Sequence, residues 1–111
     1  MEIKERSVNG VTILDLTGKL DIGVGDVQLR EKIRNLMDTG KKQILLNLAA
    51  VSRIDSSGLG ELVSSYTTLT NSGGKLKLVN LPDRVQDLLM ITQLNTVFDT
   101  YDIEQEAIRS F

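Results

Sequence analysis

Apolar residues recur along the chain with two different periods, and each change of period marks a change of element. "EIKERSV" and "VTILDL" flank Asn9-Gly10, the dipeptide that most readily supplies the two positive φ angles of a two-residue hairpin turn. The first arm is mostly charged, with Ile3 and Val8 its only apolar residues, whereas the second alternates Val11, Ile13 and Leu16. This pattern predicts an antiparallel hairpin whose first arm lies at a sheet edge. After "TGKLDIGVGD" the period lengthens: Leu29, Ile33, Leu36 and Met37 predict an amphipathic helix over 27–37, with Asp26 as its cap and Gly40 just beyond. "QILLNL", 43–48, is almost continuously apolar, the pattern of an interior strand covered on both faces within parallel β-α-β connections. Leu59, Leu62, Val63, Tyr66 and Leu69 predict a second helix ended by Gly73-Gly74, and "KLKLVN", 75–80, reads as another strand. Pro82 suits a first helical turn, with Val85, Leu88 and Leu89 giving a short helix over about 83–91. A brief "TVF" strand fits next, and Asp102 with Gln105 resembles a capping box opening a last helix through Ala107 and Ile108. The order β-β-α-β-α-β-α-(β)-α is that of an α/β domain filling residues 1–111. Its sheet is mixed and mostly parallel, with four to five strands packed with about four helices.

Composition narrows the chemistry. The chain has 111 residues without internal repeats, enough for one domain that buries roughly two thirds of its unfolded surface. Apolar runs such as "ILL" and "LVNL" fall far short of a membrane span. The start "MEIKERSVNG" lacks a basic head followed by an apolar stretch, so a cytoplasmic location is expected. There is no cysteine and no histidine, which removes disulfides, thiol catalysis, the commonest general base and the commonest transition-metal ligand. Thirteen basic and fifteen acidic residues give a net charge of -2, with two Tyr, two Phe and no Trp for base stacking. Neither nucleic acid nor a membrane is an expected partner.

The richest stretch is "RIDSSGLGEL", where Asp55, Ser56 and Ser57 precede Gly58-Leu59-Gly60 between an interior strand and an amphipathic helix. Open α/β sheets tend to place functional loops at such junctions. The plainest reading is a helix cap, with Asp and Ser accepting from free helical N–H groups while Gly58 and Gly60 let the backbone turn and pack closely. A phosphate-cradling nucleotide loop is a second reading. However, Val63 stands where the dinucleotide fingerprint wants its third glycine, and no Gly-Lys-Ser/Thr occurs. A serine nucleophile is a third, but Asp55 occupies a glycine position of the elbow pattern and no histidine is present as base. In a fourth reading the serine is itself a substrate. A phosphate there adds about -1.5 to -2 charges at a helix start, whose positive dipole end and free N–H groups favour an anion.

"LTGKLDI", "VSRIDSSGLGEL" and "GGKLKLVNLPDRVQDLL", in this order and spacing, resemble the STAS-domain family of bacterial anti-sigma factor antagonists over nearly the whole chain. In that family the phosphorylated hydroxyl follows the aspartate immediately and precedes Ser, Thr or Ala and then Gly-Leu-Gly. The resemblance therefore implies Ser56 as phosphoacceptor, Asp55 as the preceding aspartate and Asp21 as the aspartate of the loop after the second strand. It also implies a partner-binding set of Asp21, Asp55, Ser56, Ser57, Gly58, Leu59 and Gly60. Arg53 stands where an aromatic or aliphatic residue is usual, Glu61 where a small or apolar one is common, and Gln93 where glycine is frequent. Two glycines in "DIGVGD" replace small hydroxyl residues or alanine. Arg53, Glu61 and the 22–26 loop are expected close to the partner surface.

The implied role is a partner switch. The unphosphorylated chain binds an anti-sigma factor serine kinase and frees a sigma factor; phosphorylation of Ser56 ends binding, and a metal-dependent serine phosphatase resets it. The chain itself then needs no enzyme activity, cofactor or metal. Two alternatives remain. One is a structural or regulatory STAS subunit of a transporter or another signalling complex; the other is a small nucleotide hydrolase with Asp55 or Asp21 holding a metal.

Overall fold

Asn9 and Gly10 both take positive φ, 51° and 79°, as the hairpin turn requires. In the computed structural model, which describes residues 1–111, they join β1 (Glu2–Val8) to β2 (Val11–Leu20) in an antiparallel pair. There follow α1 (Gly25–Asp38), β3 (Gln43–Ile54), α2 (Ser56–Asn71), β4 (Lys75–Val79), α3 (Asp83–Ile91), a 3-10 turn (Leu94–Thr96), β5 (Asp99–Tyr101) and α4 (Glu104–Arg109). The five strands lie in sequence order, with β2 to β5 mutually parallel, so the sheet is mixed and mostly parallel as predicted. The charged β1 forms one edge, where Glu2, Lys4, Glu5 and Arg6 discourage pairing with another chain.

Each parallel connection steps to the neighbouring strand, and right-handed crossovers in one direction put their helices on one face. Leu29, Ile33 and Leu36 of α1, Leu59, Leu62 and Leu69 of α2, and Val85 and Leu89 of α3 bury against Leu14, Ile44, Leu46, Leu76 and Leu78. The alternate residues Val11, Ile13, Leu45 and Val79 point to the other face, where Ala107 of α4 covers them. QILLNL is therefore apolar throughout because both of its faces are covered.

Several boundaries differ from the sequence reading. Strand β3 runs on to Ile54, because β2 pairs with it past two register shifts while β4 stops opposite Asn47. Asp26 does not cap α1: Val24 is the N-cap, and Asp26 Oδ1 accepts from the Gly23 and Val27 N–H groups at 2.9 and 2.7 Å. Pro82 is the N-cap of α3 rather than part of its first turn. The "TVF" run is not a strand. Phe98 is buried in the helix-side core with its ring edge-on to Tyr66, 5.5 Å between centroids, so the run marks an anchor and β5 begins at Asp99. The capping box at Asp102 does not form; Ile103 is the N-cap, and α4 is positioned by buried Ala107 and by an Arg6–Glu104 ion pair.

That ion pair belongs to a polar network on the α4 side. Arg6 grips Asp15 through Nε and Nη2 at 2.7 and 3.1 Å, and Asn47 Nδ2 donates to Asp15 Oδ1 at 2.8 Å. These bonds, Arg6 first, hold the Asp15 carboxyl below its ordinary value against the opposing effect of burial. A depressed carboxyl contributes stability that is complete above the unfolded pKa, about 4, and is lost as pH falls through the folded value. Asp15→Asn is accordingly expected to lower stability near neutral pH, with the gap to wild type narrowing below about pH 4. Urea unfolding of both proteins across the acid range measures it, and a gap independent of pH contradicts it.

Candidate functional site

The site is built where β2 and β3 end. Asp55 leaves β3 in extended conformation, φ -112° and ψ -175°, and caps α2 by accepting from the Gly58 N–H at 2.9 Å through Oδ1. Its other oxygen, Oδ2, accepts from the Ile22 N–H at 3.1 Å, across 33 residues of sequence. One carboxylate thus clamps the loop after β2 to the start of α2. The Gly58 bond is the largest cause holding its pKa below the ordinary carboxyl value; burial opposes it, and the Ile22 and Ser57 N–H groups and the Arg53 charge add to it.

Close backbone contact completes the junction. A Cβ on Gly58 would lie 2.0 Å from the Leu20 carbonyl oxygen, and one on Gly25 would lie 2.3 Å from that of Lys19. The first turns of α1 and α2 therefore both rest on the end of β2, which only glycine permits. Gly60 is different. It is exposed, and a Cβ there meets nothing within 4 Å, so the expectation that it is needed for close packing is corrected.

Ser56 is the first residue of α2 and is exposed; Ser57 beside it is half-buried. The capping bond comes from Asp55, and neither serine hydroxyl substitutes for it. Asp21 is partly exposed, with Oδ2 3.9 Å from Arg53 Nε, and its carbonyl accepts from the Asp26 N–H at 3.1 Å. Asp21, Asp55, Ser56 and Ser57 are thus gathered at one end of the sheet. Gly58 and Leu59 are buried beneath them, Leu59 within the helix-side core.

Two departures from the sequence reading concern the surface itself. Glu61 is not on it: its side chain is buried between helices, accepting from Arg30 Nε of α1 at 2.7 Å and from Ser65 Oγ at 3.1 Å. Ile22 and Val24, which the sequence reading did not single out, are 71% and 60% exposed in the loop clamped by Asp55. Apolar side chains exposed close together beside a polar cluster suit a protein contact with an apolar centre and a polar rim. Their signal in the sequence is two β-branched residues in a glycine-spaced segment, "DIGVGD", that has no helical or strand period.

The Asp55 oxygens are both committed to N–H groups, and no cluster of three or more His, Cys, Asp or Glu side chains is arranged to hold a metal ion. A groove of about 590 Å³ lies beside the site between the end of β3 and the start of α3. Arg53 and Arg84 line it, and Arg84 Nη1 donates to the Ser52 carbonyl at 3.3 Å.

With this geometry in place, comparison with known proteins is decisive at the level of family. The model of the STAS domain matches residues 2–107. An anti-sigma-B factor antagonist of Bacillus subtilis is 36% identical over 86 residues, 78% of this chain and 77% of that protein. The chain belongs to the STAS-domain family of anti-sigma factor antagonists. A crystal structure from Thermotoga maritima, of a candidate anti-sigma factor antagonist, superposes with a TM-score of 0.90 at 28% identity. It covers 97% of this chain and 92% of that one. The antagonist SpoIIAA, in its unphosphorylated form, shares the fold at a TM-score of 0.75 and 24% identity, covering 98% of this chain and 96% of its own. The STAS family of antagonists is regulatory rather than catalytic. No helix of this chain is long and apolar enough to cross a membrane.

The glycines give a paired prediction. Gly58→Ala is expected to destabilise by about 1–3 kcal/mol or more, because the methyl group meets the Leu20 carbonyl. Gly60→Ala is expected to stabilise by roughly 0.5–1 kcal/mol, because it removes backbone freedom in a helix and meets open space. Urea denaturation of the two variants checks both signs.

Proposed function

We propose that this STAS domain is the phosphorylatable member of a partner switch. Unphosphorylated, it binds an anti-sigma factor that is also a serine kinase, and so frees a sigma factor; phosphorylated at Ser56, it lets go. The observation that carries this reading is the position of Ser56: exposed at the first residue of α2, next to the clamped Asp55, with its Oγ untied by any cap. In the transfer, Ser56 Oγ forms a bond to the γ-phosphorus of ATP. The bond to the ADP oxygen breaks, and the hydroxyl proton passes to a base of the kinase. The chain itself is substrate and regulator, without catalysis or cofactor of its own. A serine phosphatase returns the hydroxyl by hydrolysis of the ester. The cytoplasm, where ATP and sigma factors meet, is the proposed setting.

The same residues account for the two properties a switch needs. Its contact surface combines the exposed Ile22 and Val24 with the polar cluster of Asp21, Asp55, Ser56 and Ser57. A phosphate brought into that contact, beside two carboxylates, costs several kcal/mol through repulsion and desolvation. The free domain stays folded, since water and the positive end of α2 accommodate the anion. Gly58 and Leu59 act in this reading by setting the start of the helix, and exposed Gly60 leaves the partner-facing surface bare of a side chain.

Incubation with ATP and the cognate anti-sigma kinase is expected to add one phosphate, about 80 Da, seen by intact mass and mapped to Ser56. Ser56→Ala abolishes it and Ser57→Ala does not. Calorimetric titration against the anti-sigma factor is expected to show phosphorylation weakening binding by roughly 10²- to 10⁴-fold, about 2.7–5.5 kcal/mol. Ser56→Asp acts in the same direction but less strongly, because it carries one charge. Unchanged affinity for the phosphorylated chain overturns the partner switch.

A further inference from the structure

The end of the sheet carries two cations beside each other. Lys19 of β2 and Arg53 of β3 are register partners, so their side chains leave the same face from strands about 5 Å apart. Both are exposed, and like charges placed directly opposite repel. The anion the structure offers them is weakly engaged. Asp21 Oδ2 lies 3.9 Å from Arg53 Nε, at the outer limit of an ion pair, and no hydrogen bond joins the two groups. The Arg53 side chain is 63% exposed and no hydrogen bond holds its guanidinium.

Ser56 is three residues further along, a span of at most about 10 Å of extended chain, which an arginine and a phosphoserine side chain together can bridge. The Asp55 clamp ties the start of α2 to Ile22, next to Asp21, so Ser56 and the present partner of Arg53 sit at one junction. A planar guanidinium forms paired hydrogen bonds to phosphate oxygens that are shorter and stronger than a loose ion pair.

We infer that Arg53, with Lys19 behind it, is the internal acceptor of the Ser56 phosphate: on phosphorylation its guanidinium leaves Asp21 and clamps the phosphate. This rests on Ser56 being the phosphorylated residue. The exchange does two things. It neutralises part of the new charge within the domain, and it releases Asp21 in the loop that displays Ile22 and Val24. The modification at α2 is thereby passed to the neighbouring contact loop. Arg53 is a positioning residue, and the specific readout of its role is the ionisation of the phosphate.

The test uses the full chain with phosphoserine encoded directly at position 56, so that no kinase is needed. The second ionisation of a phosphoserine lies near about pH 6, and a cation in contact favours the dianion and lowers it. Titration followed by phosphorus NMR is expected to give a lower midpoint in the wild-type background than with Arg53→Gln, by roughly 0.5–1 pH unit. Arg53→Lys restores part of the difference and Lys19→Gln gives a smaller rise. The Ile22 and Val24 amide signals shift on phosphorylation with Arg53 present and not with Arg53→Gln. The three altered positions, Lys19, Arg53 and Ser56, are exposed, and melting curves run in parallel confirm folded protein. Coincident titration curves for wild type and Arg53→Gln overturn the clamp. Failure of the partner switch shows separately, as absence of kinase modification or of any affinity change, and leaves this titration fully informative.

Discussion

Two backbone N–H groups, from Ile22 and Gly58, converge on the carboxylate of Asp55, and the site has its shape because of that convergence. The contact is more than a helix cap. A cap satisfies one orphan donor at the start of a helix, whereas the second oxygen of Asp55 reaches a loop 33 residues earlier and fixes it to the same point. Remove the carboxylate and two elements lose their common reference: α2 loses its first-turn acceptor, and the loop carrying Asp21, Ile22 and Val24 loses its tie. A conserved-charge substitute with a longer arm places its oxygens elsewhere, so the constraint selects aspartate by length as well as by charge. The low pKa of Asp55 follows directly, because every N–H aimed at it favours the ionised form.

Beneath this clamp the end of β2 serves as a shared floor. Gly25 rests on Lys19 and Gly58 on Leu20, so α1 and α2 start from adjacent carbonyls of one strand. Further along, the buried Glu61 of α2 joins the two helices through Arg30 of α1 and also accepts from Ser65 of its own helix. A buried carboxylate is tolerated here because it is paired with a cation and accepts a hydroxyl as well. The two helix starts, and with them Ser56 and the 21–24 loop, are held in one frame from below by glycine contacts and from above by Asp55.

Much of this was legible in the sequence wherever a single local rule decides the outcome. Asn9-Gly10 has the backbone freedom of the hairpin turn, the apolar periods of α1 and α2 face one core, and Asp55 precedes its helix as a cap should. The failures share a cause. Asp26 and Asp102 look like caps by local chemistry, but α1 begins where Gly25 meets the Lys19 backbone and α4 where Glu104 pairs with Arg6 from the far end of the chain, contacts that residue type alone does not reveal. "TVF" has the composition of a strand, but its Phe98 is claimed by Tyr66 across the helix layer. Gly58 and Gly60 look alike in "GLG" and only three-dimensional neighbours separate them. Glu61 is polar and was placed on the surface; its cation comes from another helix. Resemblance supplied the candidate residues Asp21, Asp55, Ser56 and Ser57, which the fold brings to one end of the sheet, while the exposure of Ile22 and Val24 depends on where the clamp holds their loop.

The division of labour between core and rim fits the proposed switch, in which the domain changes partners without changing fold. Stability resides in the fully buried layers on both faces of the sheet, Leu14, Leu46 and Leu78 on one side and Ile13 and Leu45 on the other, none of which reaches the rim. The rim is polar, partly exposed and weakly paired, as the 3.9 Å separation of Arg53 from Asp21 shows. Rearranging an exposed ion pair involves energies of order 1 kcal/mol or less, far below what core disruption costs. Binding responds differently, because a partner that covers Ile22 and Val24 also removes water from the charges beside them, and every uncompensated charge is then felt in full. The same added charge is therefore small for the free fold and large for the complex, which is the asymmetry that a reversible switch requires.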